Sequence, residues 1–90
     1  MKHLSVTVSG LVQGVFFRAS AKEEAENRGL TGFTCNNPDG SVQIEVEGPQ
    51  DKLDDYLDWC RRGTPPARVE QMEFVYSDDL KNFPNFTIER

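Results

Sequence analysis

Between Lys2 and Ser9 the chain alternates apolar Leu4, Val6 and Val8 with polar Ser5, Thr7 and Ser9, the two-residue period of a strand with one buried face. From Phe17 the period lengthens, and Phe17, Ala21 and Ala25 recur at helical spacing. Gly10 to Phe16 is therefore predicted as a strand-to-helix turn. Asn27-Arg28-Gly29 reads as the helix end, with glycine just past the last turn, and Leu30 to Asn36 as a second strand. Asn37-Pro38-Asp39-Gly40 is a tight turn into Ser41 to Glu47, where Val42, Ile44 and Val46 take one face and Gln43, Glu45 and Glu47 the other. Gly48-Pro49 opens a second helix whose Leu53, Tyr56, Leu57 and Cys60 fall at i, i+3, i+4 and i+7. Its acids lead and Arg61-Arg62 trail, as the helix dipole prefers, and Gly63-Thr64-Pro65-Pro66 ends it. Arg68 to Tyr76 gives a fourth strand through Met72, Phe74 and Tyr76. After the polar loop Ser77 to Asn82, a terminal extended segment puts Phe86 and Ile88 on one side.

This βαββαβ order predicts an α+β, ferredoxin-like sandwich: an antiparallel sheet with both helices on one face and a short C-terminal strand. A right-handed crossover makes the first two strands parallel, so Ser9-Gly10 and Cys35-Asn36 emerge at the same edge of the sheet. With the third strand between them, those ends lie about 10 Å apart, twice the inter-strand spacing. Arg18, at the start of the first helix, and Asn36, at the end of the second strand, can then face one small ligand.

Charge narrows what that ligand is. The 90 residues carry a formal charge of -5, enough chain for a single domain over residues 1–90 and the wrong sign for nucleic acid, whose binding rests on a basic face. A helix start nevertheless exposes unpaired N–H groups and a partial positive charge, so glycines that bend the backbone, followed by Arg18, describe a local anion cradle. In an acidic protein such a cradle works without global steering, which makes Arg18 more necessary. No apolar run is long enough for a membrane span and no signal-peptide pattern is present, so a cytoplasmic protein is expected. Cys35 and Cys60 are expected to remain free thiols, and no CxxC or Cys/His metal spacing is present.

The stretch Gly10 to Arg18, G-L-V-Q-G-V-F-F-R, resembles the phosphate-binding signature of the acylphosphatases, and Gly32 to Gly48, G-F-T-C-N-N-P-D-G-S-V-Q-I-E-V-E-G, is similar to the family's second signature. Further agreement at Ala25, Gly29-Leu30, Ala67-Arg68-Val69 and Phe86-Thr87-Ile88 extends the resemblance over essentially the whole chain. It implies the same βαββαβ sandwich and an enzyme that hydrolyses acyl phosphates, with no metal and no cofactor. By that resemblance Arg18 binds the phosphoryl group together with the amides of Gln13, Gly14, Val15, Phe16 and Phe17, and Asn36 orients the attacking water. Thr34 and Cys35 depart from the family pattern, which has a small apolar residue and then a basic or long polar one. The partner implied is a small-molecule acyl phosphate, and a monomer is expected because no apolar stripe is left over.

Two other classes share parts of this pattern. An RNA-recognition module has the same element order, but the open face of its sheet carries stacking aromatics where this chain has Gln43, Glu45 and Glu47. A non-catalytic acylphosphatase-like domain that binds phosphate or a carboxylate metabolite for regulation is the second rival, and the presence of both Arg18 and Asn36 argues for catalysis over it. Asp51, Asp54, Asp55 and Asp58 recur at helical spacing and read as a solvated face rather than a cation site. Phe17 begins the core stripe, Trp59 is expected to be partly buried beside it, and Phe16 is left open as a wall for an aromatic acyl group.

Overall fold

The computed structural model describes residues 1–89. In chain order it contains β1 (Lys2–Leu11), α1 (Phe17–Asn27), β2 (Thr31–Asn36), β3 (Val42–Gly48), α2 (Gln50–Arg62), β4 (Arg68–Ser77) and β5 (Phe86–Ile88). The sheet order is β4-β1-β3-β2-β5. The four longer strands pair antiparallel, and β5 adds to β2 in parallel, with Gly32 opposite Phe86 and Thr34 opposite Ile88. β3 thus separates the parallel β1 and β2, as the topology requires.

β1 runs two residues past its expected end. The register against β4 shifts between Ser9 and Gly10, after which Gly10 pairs with Val69 and Leu11 with Arg68. Gly10 makes this bulge possible: its φ is 130°, and a Cβ there would lie 2.3 Å from the Arg68 carbonyl oxygen. The extension carries the chain to the brink of α1 while it is still held to the sheet.

Leu4, Val6, Val8, Val42, Ile44 and Val46 are fully buried on one face of the sheet. Over them α1 lays Phe17, Ala21 and Ala25, and α2 lays Leu53, Tyr56, Leu57 and Cys60, the residues the helical spacing selects. The Tyr56 hydroxyl donates to the Ala21 carbonyl at 2.9 Å and ties the helices together inside the core. Trp59 is more deeply placed than its position beside the stripe suggests, at 5 % exposed. Its indole stacks on Phe17 with centroids 5.3 Å apart and planes 19° off parallel, while its N–H donates to Thr64 Oγ1 at 3.2 Å. Cys35 and Cys60 are free thiols, and burial pushes the Cys60 pKa far up, leaving it inert.

The opposite face is not open along its length. Glu47, polar by pattern, is only 3 % exposed because the segment after β4 folds across it. The N–H groups of Lys81 and Asn82 donate to the Glu47 carboxylate at 2.7 and 3.0 Å, and Phe83 meets the rings of His3 and Phe33. His3 donates from Nδ1 to Glu47 at 2.6 Å and from Nε2 to Glu45 at 2.6 Å. Burial lowers the His3 pKa, but its bonds and charge attraction to Glu47 and Glu45 outweigh this and raise it above 6.5. Burial raises the Glu47 pKa, and the Lys81 amide, the His3 ring and the Asn82 amide together bring it below 4.5.

The signs fix a pH window. Stability from His3 is complete below about pH 6.5 and is lost as pH rises through the raised folded value. Stability from Glu47 is present above about pH 4.5 and is lost as pH falls through the depressed one. The melting temperature is therefore expected to decline as pH rises above about 6.5, and to decline less in His3→Asn. Equal slopes for parent and variant in thermal scans across that range would show that His3 is uncharged in the folded protein.

Candidate active site

Between β1 and α1 the backbone is bent by two left-handed residues, Gly14 at φ 74° and Phe16 at φ 63°, ψ 18°. Left-handed residues alternating with one of ordinary hand turn successive N–H groups to one side, a nest of the kind that receives anions. Gly14 adopts this conformation freely, whereas a bulky residue there costs on the order of 1–3 kcal/mol. The surroundings hold Phe16 in place. On one side Gln13 Nε2 donates to the carbonyls of Asn37 at 3.0 Å and Ser41 at 2.8 Å, clamping the loop to the β2–β3 turn. On the other, Phe17 is locked against Trp59, and Val15 packs on the core.

The first helical hydrogen bond of α1 runs from the Ser20 N–H to the Phe16 carbonyl at 3.1 Å. The amides of Gln13 to Ala19 have no acceptor among the described residues, and the first turn holds no acidic side chain to offset their partial charge. Arg18 lies in that turn. It lines a cleft of about 280 Å³ together with Val12, Gly14, Phe16, Phe17 and Ile88, and no other lining residue among those described is charged. Arg18 Nη1 donates to the Glu89 carbonyl at 3.3 Å, and the Glu89 N–H donates to the Thr34 carbonyl at 2.8 Å.

Asn36 does not line this cleft. Val42 pairs with Val8 on one side and Asn36 on the other, so Asn36 sits two strand spacings, about 10 Å, from Val8, three residues before β1 ends, on the helix face of the sheet. It is solvent-exposed, two residues along β2 from Thr34, which the Glu89 link joins to Arg18. Its neighbour Asn37 builds the turn instead, with its N–H on the Ser41 carbonyl at 2.8 Å and Nδ2 on Ser41 Oγ at 2.9 Å. Thr34 is fully buried and donates to the Gln43 carbonyl at 3.0 Å, while Cys35 points to the other face beside Gln43. Neither departure from the family pattern lines the cleft.

Three contributors escaped the sequence reading: the Gln13 side chain, Ile88 and the Glu89 carbonyl. Gln13 was expected to act through its amide alone, and the clamp it forms spans a gap in sequence that no periodicity reports. Ile88 reaches the cleft, and the Glu89 carbonyl reaches Arg18, because β5 pairs in parallel with β2. His3 lies on the opposite face, so no histidine serves the cleft. No group of three or more His, Cys, Asp or Glu side chains suited to a metal occurs among the described residues. No helix among them is long and apolar enough to cross a membrane.

Fold and loop together define the class: a ferredoxin-like α+β protein with free amides and an arginine at its first strand-to-helix join. Residues 4–88 match the family model for acylphosphatase. The chain is 43 % identical over 90 residues to the acylphosphatase of Methylococcus capsulatus, covering 100 % of this chain and 98 % of that one. The crystal structure of acylphosphatase from Bacillus subtilis matches it with a TM-score of 0.97 at 33 % identity over the whole of both chains. An acylphosphatase from Coxiella burnetii gives 0.91 at 33 % identity, covering 98 % and 92 %. The chain belongs to the acylphosphatase family, a family of hydrolases, and family and fold alike support acyl phosphate hydrolysis.

Proposed function

We propose that the Gln13–Phe17 amides and Arg18 hold the phosphoryl group of an acyl phosphate while Asn36 positions the water that attacks it. The observation that carries this reading is the left-handed loop whose amides have no acceptor among the described residues, three of whose residues, Gly14, Phe16 and Phe17, line a cleft with Arg18, the one charged lining residue among those described. The arginine supplies a forked, charge-assisted contact, and the amides complete the cradle. Water oxygen forms a bond to phosphorus in line with the departing acyl oxygen. The phosphorus–oxygen bond to the acyl group breaks, its electron pair leaves with the carboxylate, and the water proton passes to a phosphoryl oxygen of the substrate. A carboxylate is a weak base and leaves without a proton, so a site lacking histidine suffices. Positioning and charge stabilisation then supply the catalysis, as in phosphoryl transfer generally.

The full chain is expected to hydrolyse benzoyl phosphate at an undiminished rate with a chelator present. No hydrolysis at all would leave a phosphate- or carboxylate-binding module, and activity abolished by chelation would sink the metal-free scheme. Asn36→Ala is expected to lower kcat by on the order of 100-fold with KM near the parental value, because a water-positioning group acts on the transition state more than on bound substrate. A KM increase with kcat unchanged would remove Asn36 from that role. The reading also takes the enzyme to act as a cytoplasmic monomer on a small molecule.

A further inference from the structure

Phe16 combines two unfavourable features without a compensating one from folding. Its backbone is left-handed, where glycine or asparagine would sit with less strain, and its ring is 83 % exposed. A large apolar side chain displayed in this way points to recognition more than to packing. The ring borders the same cleft as Arg18, with Ile88, 39 % exposed, also on its lining and the buried Val12 beside them. Among the described lining residues the cleft thus combines one cation, Arg18, with side chains that are otherwise apolar. An anion with an apolar body matches both parts at once.

We propose that Phe16 and Ile88 form the wall that receives the acyl group and select substrates whose acyl group is aromatic over acetyl-sized ones. This inference rests on the phosphoryl-binding role of the cradle and adds the identity of what the phosphoryl group is attached to. The phosphate fixes one end at Arg18, which brings an aryl ring bonded to the carbonyl carbon against the Phe16 ring. An acetyl group is too short to cover it. One left-handed residue, Phe16, thus belongs to the loop that supplies the amides and also lines the cleft with its side chain left exposed.

The test compares kcat/KM for benzoyl phosphate and acetyl phosphate in the full-length parent, Phe16→Ala, Phe16→Gly and Ile88→Ala. The two substrates differ in intrinsic reactivity because benzoate is the weaker base, but that difference cancels when each variant's benzoyl-to-acetyl ratio is divided by the parent's. The ratio is expected to fall about tenfold in Phe16→Ala and in Phe16→Gly, chiefly through KM for benzoyl phosphate, and by about threefold in Ile88→Ala. Phe16→Gly should melt at or above the parental temperature, since the strain is relieved and no packing is lost. A ratio unchanged in an active parent's variants overturns the wall while leaving the phosphoryl-binding reading intact. So does a marked drop in melting temperature for Phe16→Gly, which would make the ring structural. A parent inactive on both substrates overturns both readings.

Discussion

Arg18→Ala is expected to lower turnover of benzoyl phosphate by on the order of 100- to 1000-fold, with weaker phosphate binding, while leaving the fold intact. The size follows from removal of one preorganised donor to charge that develops on the phosphoryl oxygens. It is not smaller because the chain's net charge is -5 and, among the described residues, Arg18 is the one cation that lines the cleft. The arginine is also inexpensive to recruit. Its contact in the free protein, Nη1 to the Glu89 carbonyl, is 3.3 Å long, at the weak end for such a bond, and is readily exchanged for a phosphoryl oxygen. Loss of that contact from a half-buried side chain should change stability by no more than about 1 kcal/mol. Arg18→Lys keeps the charge but loses the planar fork and should fall between parent and Ala. Steady-state kinetics paired with urea unfolding check both halves, and an Arg18→Ala enzyme within about threefold of the parent would remove the arginine from the mechanism.

Phe17→Ala, one residue away, is expected to do the reverse. Its ring is 1 % exposed and stacked on Trp59, which in turn meets Tyr56 with centroids 5.7 Å apart. Truncation removes the anchor of the first turn of α1 and leaves a cavity against α2, a change that typically costs 3–5 kcal/mol, about 12–40 °C in melting temperature for a chain of this size. Activity measured well below the new midpoint should fall too, because the amides of the loop are aimed by the turn that Phe17 pins. A loss under about 1.5 kcal/mol in urea titration would mean that Val15 and the Gln13 clamp suffice to seat the helix.

How far each residue could be read beforehand depends on whether its partners are local. Val6, Ile44 and Leu53 were legible because burial follows period, and period is visible in a single strand or helix. Asn36 was legible at one remove: the element order sets the strand order, and the register then pairs both Val8 and Asn36 with Val42. Glu47 was assigned to the correct face, but periodicity says which side a residue takes and nothing about what later chain covers that side. The Gln13 clamp was illegible for a similar reason, since a side-chain amide reaching the Asn37 and Ser41 carbonyls leaves no compositional mark. Phe16 was legible as a question only. Its left-handed backbone belongs to phenylalanine so seldom that propensity argues against it.

The segment that covers Glu47 leaves β4 at one margin of the sheet and delivers β5 at the other, tied down midway by two amides on a single carboxylate. Ile88, on the cleft lining, and the Glu89 carbonyl, on Arg18, are therefore delivered by a cord anchored on the far side of the sheet. The two faces are in mechanical series: the side that faces substrate borrows its last piece of architecture from a knot of charge on the side that never meets it.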